Sequence, residues 1–193
     1  MSLIDVNKII IISGPSGAGE DSIIDGLSKL TKINRVITTT TRAMRYGESE
    51  GNPYYFISKN EFLNKIKTGE MLEWAKQYND NYYGVTLEEI KRVTSLDGLA
   101  IWKIEYQGVI NMKKKFPGLK AVFITVESLD ILERRIRKRG NITEEYIKER
   151  IEYTKEWMKH TDIYDFTIVN KEGKLQEAVN DLYSLLKDNG YIK

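Results

Sequence analysis

The sequence contains no cysteine and a single histidine, His160, and both shortages narrow the chemistry that it can perform. They exclude disulfide bonds, thiolate catalysis and zinc sites built from cysteine and histidine, and they argue against a Ser-His-Asp triad. Any metal would therefore be a hard ion held by oxygen atoms, such as Mg²⁺.

Long apolar runs and an excess of one charge are also missing. The longest aliphatic run, residues 9–12, is far shorter than the roughly 20 residues of a membrane span. The 30 basic and 28 acidic side chains give a formal net charge of +2, so no overall field favours nucleic acid or an anionic membrane. Residues 1–5 show no basic region followed by an apolar stretch, as a secretory signal would. We expect a cytoplasmic, single-domain protein that binds neither nucleic acid nor membranes.

Short apolar runs alternate with amphipathic stretches, which is typical of an α/β fold around a mainly parallel sheet. Core strands are predicted at residues 8–13, 99–104, 121–126 and 166–169. Helices are predicted at about residues 21–30, 108–115, 129–139, 143–159 and 174–187.

The stretch from residue 38 to about 95 differs from the rest because it is rich in tyrosine and threonine. Short strands are predicted here at residues 54–57, 71–75 and 82–85. Two capping boxes, Ser58 with Glu61 and Thr86 with Glu89, predict the starts of two helices. We interpret this stretch as a small mixed lobe inserted into a core formed by residues 1–37 and 96–193.

A glycine loop, Gly-Pro-Ser-Gly-Ala-Gly at residues 14–19, follows a predicted buried strand and precedes a predicted helix. This context matches the first half of a P-loop, whose curled backbone points N–H groups at phosphate. The full motif continues with a lysine and a serine or threonine, but Glu20 and Asp21 occupy those positions and Ser22 follows. The reversed charge opposes triphosphate binding, and a Mg²⁺ ion at Asp21 would offset part of it. The alternative is a tight turn without a ligand.

Several ordered motifs extend the pattern over nearly the whole chain. They are TTTTRAMRYGE at 38–48, GNPYYF at 51–56, GEMLEWA at 69–75, NYYG at 81–84, IEYQG at 104–108 and a basic run at 132–140. Together with the glycine loop they resemble the guanylate kinase family, whose members transfer the γ-phosphoryl group of ATP to GMP. The resemblance implies a P-loop kinase-type parallel sheet flanked by helices, a GMP-binding lobe at about 38–95, a short helical lid at about 134–158, and the use of ATP and Mg²⁺.

The resemblance also implies roles for individual residues. The positions that would hold ATP are Gly14, Ser16, Gly17, Ala18, Gly19, Glu20, Asp21, Ser22 and, near adenine, Asn170, with Asp21 also near Mg²⁺. The positions that would hold GMP are Thr38, Arg42, Arg45, Glu48, Tyr54, Glu73, Tyr83 and Glu105. Among these, Arg42, Arg45, Tyr54 and Tyr83 fall where the family binds the phosphate, and two guanidinium forks with two phenols suit a dianionic monoester. Glu73 falls where a carboxylate accepts the guanine N1 and N2 hydrogens.

A set of arginines falls in the lid of the family. They are Arg134, Arg135, Arg137, Arg139 and Arg150, of which Arg137 and Arg150 are the main candidates for neutralising the transferring phosphoryl group. The alternative for these arginines is a solvated helix face paired with acidic neighbours.

The chain departs from the family pattern at the chemistry. Beside the two loop substitutions, Lys103 and Glu105 stand where the family has aspartates, and Val85 stands where it usually has serine or threonine. Since the strand that ends near Lys103 should lie beside the strand that feeds the loop, we hypothesise an ion pair between Glu20 and Lys103. Lys103 would then either reach the β- and γ-phosphates, as a catalytic residue of a rewired kinase, or leave a pocket that binds a monophosphate without ATP. Unconnected substitutions are the third possibility.

Three functions follow from these observations. The first is phosphoryl transfer from ATP to GMP or a related nucleoside monophosphate, which needs positioning and charge neutralisation and no catalytic histidine. The second is a non-catalytic module that binds GMP or a phosphorylated peptide. The third is a folded remnant without a ligand.

Overall fold

The computed structural model describes residues 4–76, 80–138 and 142–193. In these ranges the chain forms ten β-strands and seven α-helices. The strands are β1 (Ile9–Ser13), β2 (Ile33–Arg35), β3 (Thr38–Thr40), β4 (Ser49–Glu50), β5 (Pro53–Phe56), β6 (Met71–Lys76), β7 (Tyr82–Thr86), β8 (Leu99–Lys103), β9 (Lys120–Thr125) and β10 (Phe166–Val169). The helices are α1 (Glu20–Leu27), α2 (Lys59–Lys67), α3 (Leu87–Ser95), α4 (Tyr106–Lys115), α5 (Leu129–Arg137), α6 (Glu144–Met158) and α7 (Leu175–Asp188).

Five strands form a parallel sheet in the order β10-β9-β1-β8-β2, with β1 at its centre. All five residues of β1 are buried, as its continuous apolar sequence predicts for a strand covered on both faces. Ile10 and Ile12 pack with residues of α1 and α7, whereas Ile9 and Ile11 pack with residues of α3 and α4. Helices therefore cover both faces of the sheet, and the predicted fold class is confirmed.

A second, mixed sheet has the order β4-β5-β3-β7-β6, in which β3 pairs in parallel with β5 and antiparallel with β7. The predicted helix starts beside it are confirmed. The N–H group of Glu61 donates to the Ser58 hydroxyl (3.2 Å), and that of Glu89 donates to the Thr86 hydroxyl (3.1 Å). The Glu89 carboxylate instead accepts from the Ile37 N–H (2.7 Å), where the chain passes from the first sheet to the second. The proposed limits of the lobe and of the lid stay predictions.

Other predicted elements agree with the structure apart from their ends. The first helix ends at Leu27 rather than near residue 30. The helix predicted at 129–139 ends at Arg137, and residue 139 lies outside the described residues. Strands β2, β3 and β4 were not predicted, since runs of two or three residues are too short to show periodicity. None of the helices in the described ranges has the length and apolar character needed to span a membrane.

The packing of α1 on α7 gives a stability prediction. A Cβ atom at Gly26 would lie 2.5 Å from Cγ2 of Val179. Gly26→Ala should therefore destabilise the protein by about 1–3 kcal/mol through overpacking, although alanine is favoured over glycine in a helix by about 1 kcal/mol. Urea denaturation measures the change. In a Val179→Ala background the same substitution should become neutral or stabilising, and a stabilised single variant would contradict the packing argument.

Candidate active site

A cleft of about 460 Å³ opens where the carboxyl ends of the parallel sheet face the second sheet and helix α6. Most of the residues singled out in the sequence line this cleft. They are Gly14, Ser16, Glu20, Asp21, Thr38, Arg45, Tyr54, Glu73, Tyr83, Lys103, Glu105 and Arg150. The lining includes the glycine loop and a pair of neighbouring carboxylates, Glu73 and Glu105.

The glycine loop is shaped by the close approach of its backbone to neighbouring elements. Gly17 and Gly19 have φ angles of 93° and 94°, a backbone conformation that residues with a side chain rarely adopt. A Cβ atom at Gly14 would lie 2.4 Å from the carbonyl oxygen of Ile124 on β9. Helix α1 begins directly after Gly19, so its N-terminus faces the same end of the cleft.

Two side chains hold this loop from outside the cleft. Asn170, which is 4% exposed, donates from its amide to the carbonyl oxygen of Ala18 (2.7 Å). Arg135 donates to the carbonyl oxygens of Gly17 (3.4 Å) and Asn170 (3.0 Å). Both residues therefore fix the loop conformation, and the adenine contact of Asn170 stays a prediction. Ala18 is buried, whereas Ser22 lies exposed in the first turn of α1.

Lys103 places a cation beside the start of α1. Its ammonium group lies 2.7 and 2.8 Å from the two carboxylate oxygens of Asp21. β1 and β8 are adjacent, with Ile12 opposite Lys103, as the hypothesis assumed. The sequence hypothesis named Glu20 as the partner of Lys103. In the structure, the carboxylate in this ion pair is that of Asp21, one residue further along. Arg35 also contacts Asp21 (3.4 Å), so two cations surround this carboxylate.

The ion pair between Lys103 and Asp21 is exposed, because their side chains retain 43% and 61% of their accessible surface. Exposed pairs of this kind add little to stability. The pair can therefore be opened at small cost when another anion approaches Lys103.

An arginine–tyrosine pocket lies on the second sheet. The guanidinium group of Arg42, 10% exposed, makes two hydrogen bonds to the Glu48 carboxylate (2.7 and 3.0 Å). Glu48 also accepts from the backbone N–H of Arg45 (2.7 Å), and these donors hold its pKa below the ordinary value. Arg42 lies over the ring of Tyr54 (5.4 Å), which in turn packs edge-on against Tyr83 (5.9 Å). Glu48 thus orders the turn that carries both arginines.

Two acidic side chains, Glu73 and Glu105, also line the cleft. Burial, with a smaller contribution from the charge of Glu105, raises the pKa of Glu73 to about 7. Glu73 lies on β6 next to Gly108 at the start of α4, where a Cβ atom would be only 3.2 Å from its carboxylate. Val85 is fully buried in the core with Leu72, whereas its neighbour Gly84 lines the cleft.

The comparisons with known proteins agree with this arrangement. The family model described as guanylate kinase matches residues 6–189. The chain belongs to the guanylate kinase family. It is 41% identical to the guanylate kinase of Buchnera aphidicola subsp. Schizaphis graminum over 92% of this chain and 86% of that protein. It is 38% identical to the guanylate kinase of Haemophilus influenzae over 96% of this chain and 90% of the relative.

A solved structure is also similar to this chain. The crystal structure of guanylate kinase from Anaplasma phagocytophilum superposes with a TM-score of 0.71 and 26% sequence identity. The match covers 94% of this chain and 85% of the other. The resemblance found in the motifs is thus confirmed at the level of the family and of the fold.

The two arginines favoured as lid residues of this guanylate kinase family member occupy different places. Arg150 lines the cleft, and the rings of Tyr146 and Tyr153 lie 5.2 and 5.6 Å from its guanidinium group. Arg137, the last residue of α5, donates to Glu133 (2.7 Å) on the same helix and to Glu144 at the start of α6. These carboxylates line a separate small cavity with it. A catalytic role for Arg137 stays a prediction, and it requires that the arginine leave both carboxylates.

The remaining arginines of the basic run are placed in other ways. Arg134 pairs with Glu172 (2.7 Å) on the surface, as the solvated-face alternative predicts for this residue. Arg135 contacts the glycine loop as described above. Arg139 lies outside the described residues.

Motif reasoning missed the aromatic wall of the cleft, which consists of Tyr146, Tyr153 and Trp157 on α6. The hydroxyl of Tyr153 donates to the Glu105 carboxylate (2.8 Å). Together with Arg150, these residues are spaced by four, three and four positions, which places them on one face of a helix. This periodicity was present in the sequence, but no motif of the guanylate kinase family drew attention to it.

The pKa of Glu73 can be measured directly. Its side-chain carboxyl carbon should titrate in a ¹³C NMR experiment with a midpoint of about 7. In Glu105→Gln the midpoint should fall, since a negative neighbour is removed, but it should stay above the ordinary glutamate value of about 4.3 because burial remains. Glu61→Gln, on the exposed face of α2, should leave the midpoint unchanged. A Glu73 midpoint near the ordinary value in the parent protein would refute the burial argument.

Proposed function

We propose that this guanylate kinase family member transfers the γ-phosphoryl group of ATP to GMP, giving ADP and GDP. The observation that carries the proposal is the composition of the cleft. Its lining brings together a glycine loop with a neighbouring lysine, an arginine–tyrosine pocket on the facing sheet, and two carboxylates. A nucleoside monophosphate that binds between them presents its phosphate to the loop and its base to the carboxylates.

The GMP side of the reaction is assigned to the second sheet. Arg45, Tyr54 and Tyr83 line the cleft and would bind the phosphate, while Arg42 supports them by packing over the ring of Tyr54. Thr38 lines the same wall at the start of β3. In its ionised form Glu73 would accept the N1–H and one N2–H of guanine, donors that adenine does not present together. These contacts favour GMP over AMP.

The ATP side is assigned to the glycine loop and the N-terminus of α1, which supply backbone N–H groups for the phosphates. In the reaction, a phosphate oxygen of GMP bonds to the γ-phosphorus as the bond from that phosphorus to the bridging oxygen breaks. Lys103 and Arg150 line the cleft and would neutralise the charge that is shared during the transfer.

A magnesium ion fits this site as a companion of ATP. Among the described residues there is no cluster of three or more acidic or histidine side chains that forms a metal cage. Mg²⁺ bound with nucleotides commonly takes one or two carboxylates and completes its shell with phosphate and water. Asp21, at the start of α1, is the carboxylate that we assign to it, and the ion would supply charge neutralisation between the phosphates.

Lys103 is the residue that we assign to the task of the missing loop lysine. It reaches the same end of the cleft from β8, the strand next to the one that feeds the loop. With Asp21 assigned to Mg²⁺, the ammonium group of Lys103 would be available to the phosphates. A non-catalytic module is not favoured, because the relatives that cover most of the chain are guanylate kinases.

The activity is tested by a coupled assay of ADP formation with ATP, Mg²⁺ and GMP. We expect turnover within the range of about 1–100 s⁻¹ that is common for kinases, and no ADP formation when GMP is omitted. Calorimetry with each nucleotide alone separates binding from catalysis. GMP binding without ATP binding or turnover would reject the proposal and favour the non-catalytic module.

The role of Lys103 has its own test. Lys103→Met should lower kcat/KM for ATP by about 100-fold or more, as expected for the loss of a charge that stabilises the transition state, with GMP affinity unchanged. Glu20→Lys in the same chain should restore part of the loss, because it returns a cation to the loop.

Lys32→Met is the matched control. Lys32 makes a comparable exposed ion pair with Asp97 (3.1 Å), at the opposite end of β8 from Lys103 and the cleft. The Lys32→Met substitution should leave kcat/KM for ATP unchanged. If Lys103→Met has no more effect than this control, Lys103 does not serve the phosphates.

A further inference from the structure

Tyr153 on α6 connects two parts of the cleft that motif reasoning treated separately. Its hydroxyl donates to Oε2 of Glu105 at 2.8 Å. Its ring packs against Tyr106, the residue after Glu105 (5.6 Å), and edge-on against Trp157 (5.8 Å). The guanidinium group of Arg150 lies 5.6 Å from the centre of the same ring. One side chain therefore contacts both the base end of the cleft and the arginine assigned to the phosphoryl group.

Glu105 lacks a side-chain hydrogen bond to its own helix and lies near a second carboxylate. It is the N-cap residue of α4, yet its side chain makes no capping hydrogen bond to that helix. The carboxylate is therefore not fixed by its own backbone, and it lies close enough to Glu73 to raise the pKa of that residue. Because like charges repel, the Glu105 carboxylate would turn away from that of Glu73 if no donor held it in place.

The hydroxyl of Tyr153 is suited to this task. Burial and the charge of Glu105 raise its pKa well above the ordinary value, so it stays protonated and able to donate throughout the neutral range. Its bond occupies Oε2 and leaves Oε1 of Glu105 available to a ligand.

We propose that Tyr153 is a positioning residue for guanine recognition, which holds Glu105 towards the 2-amino group of the base. The proposal rests on GMP being the substrate. A guanine base has three N–H hydrogens on N1 and N2. Glu73 accepts two of them as a bidentate carboxylate, and the second hydrogen of the 2-amino group is left for Glu105. IMP lacks that amino group. Discrimination between GMP and IMP therefore depends on Tyr153 of α6.

The test compares Tyr153→Phe with the parent protein on GMP and on IMP. The KM for GMP, and its calorimetric Kd, should rise about 10-fold, the usual scale for losing an interaction with a charged group. The values for IMP should change less than about 2-fold, so selectivity falls by nearly the whole effect. kcat with saturating GMP should change little. Tyr183→Phe, on α7 away from the cleft, is the matched control and should change neither substrate.

A double-mutant cycle with Glu105→Asp separates positioning from a structural role. Aspartate is too short to reach the Tyr153 hydroxyl, so Tyr153→Phe should have little further effect on selectivity in that background. The melting temperature of each variant shows whether the fold is intact. An equal loss for GMP and IMP, or the same loss in both backgrounds, would overturn the proposal. Absence of GMP phosphorylation by the parent protein would instead reject the function proposed above, so the two failures are distinguishable.

Discussion

The parallel pairing of β1 with β8 is the constraint on which the rest of the cleft depends. Parallel strands end at the same edge of a sheet, and the register places Ile12 opposite Lys103. The glycine loop follows the end of β1, and the segment with Lys103 and Glu105 lies at the end of β8. A lysine, a carboxylate and the glycine loop are thus brought together by backbone hydrogen bonds between residues far apart in sequence. The buried isoleucines of β1 secure this pairing from both faces.

That edge also has a cation beside the glycine loop, although the loop lysine of the family pattern is missing. In the family pattern the cation belongs to the loop, whereas here it belongs to the neighbouring strand, and an acidic residue has moved in the opposite direction. Lys103 lies within hydrogen-bond distance of Asp21, which stands at the serine position of the family pattern. A cation is therefore retained at this edge of the sheet, although it comes from a different strand. Since the ion pair is exposed, the exchange of its partner for a phosphate involves little desolvation.

The fold and most of the cleft could be predicted because their signals are local or belong to motifs. The run of isoleucines predicts β1, and glycines at fixed offsets predict the loop. Contacts between distant segments gave no such signal. Asn170 supports the loop through Ala18, a contact between residues 152 positions apart that no local pattern contains. The pairing of Arg137 with Glu133 and Glu144 is local, and it matches the alternative of an acid-paired helix face.

The joint between the two sheets shows how the halves of the cleft are kept in register. Glu89, almost fully buried, accepts from the Ile37 N–H and is held by Arg92 (2.7 Å). Arg92 also donates to the carbonyl oxygen of Arg35 (3.3 Å), whose side chain reaches Asp21 at the start of α1. A buried charge of this kind is costly without its partner, so the joint has one favoured arrangement. We therefore expect motion that closes the cleft to involve α6, which meets the segment of Glu105 and Tyr106 through one hydroxyl and several ring contacts, rather than the root of the second sheet.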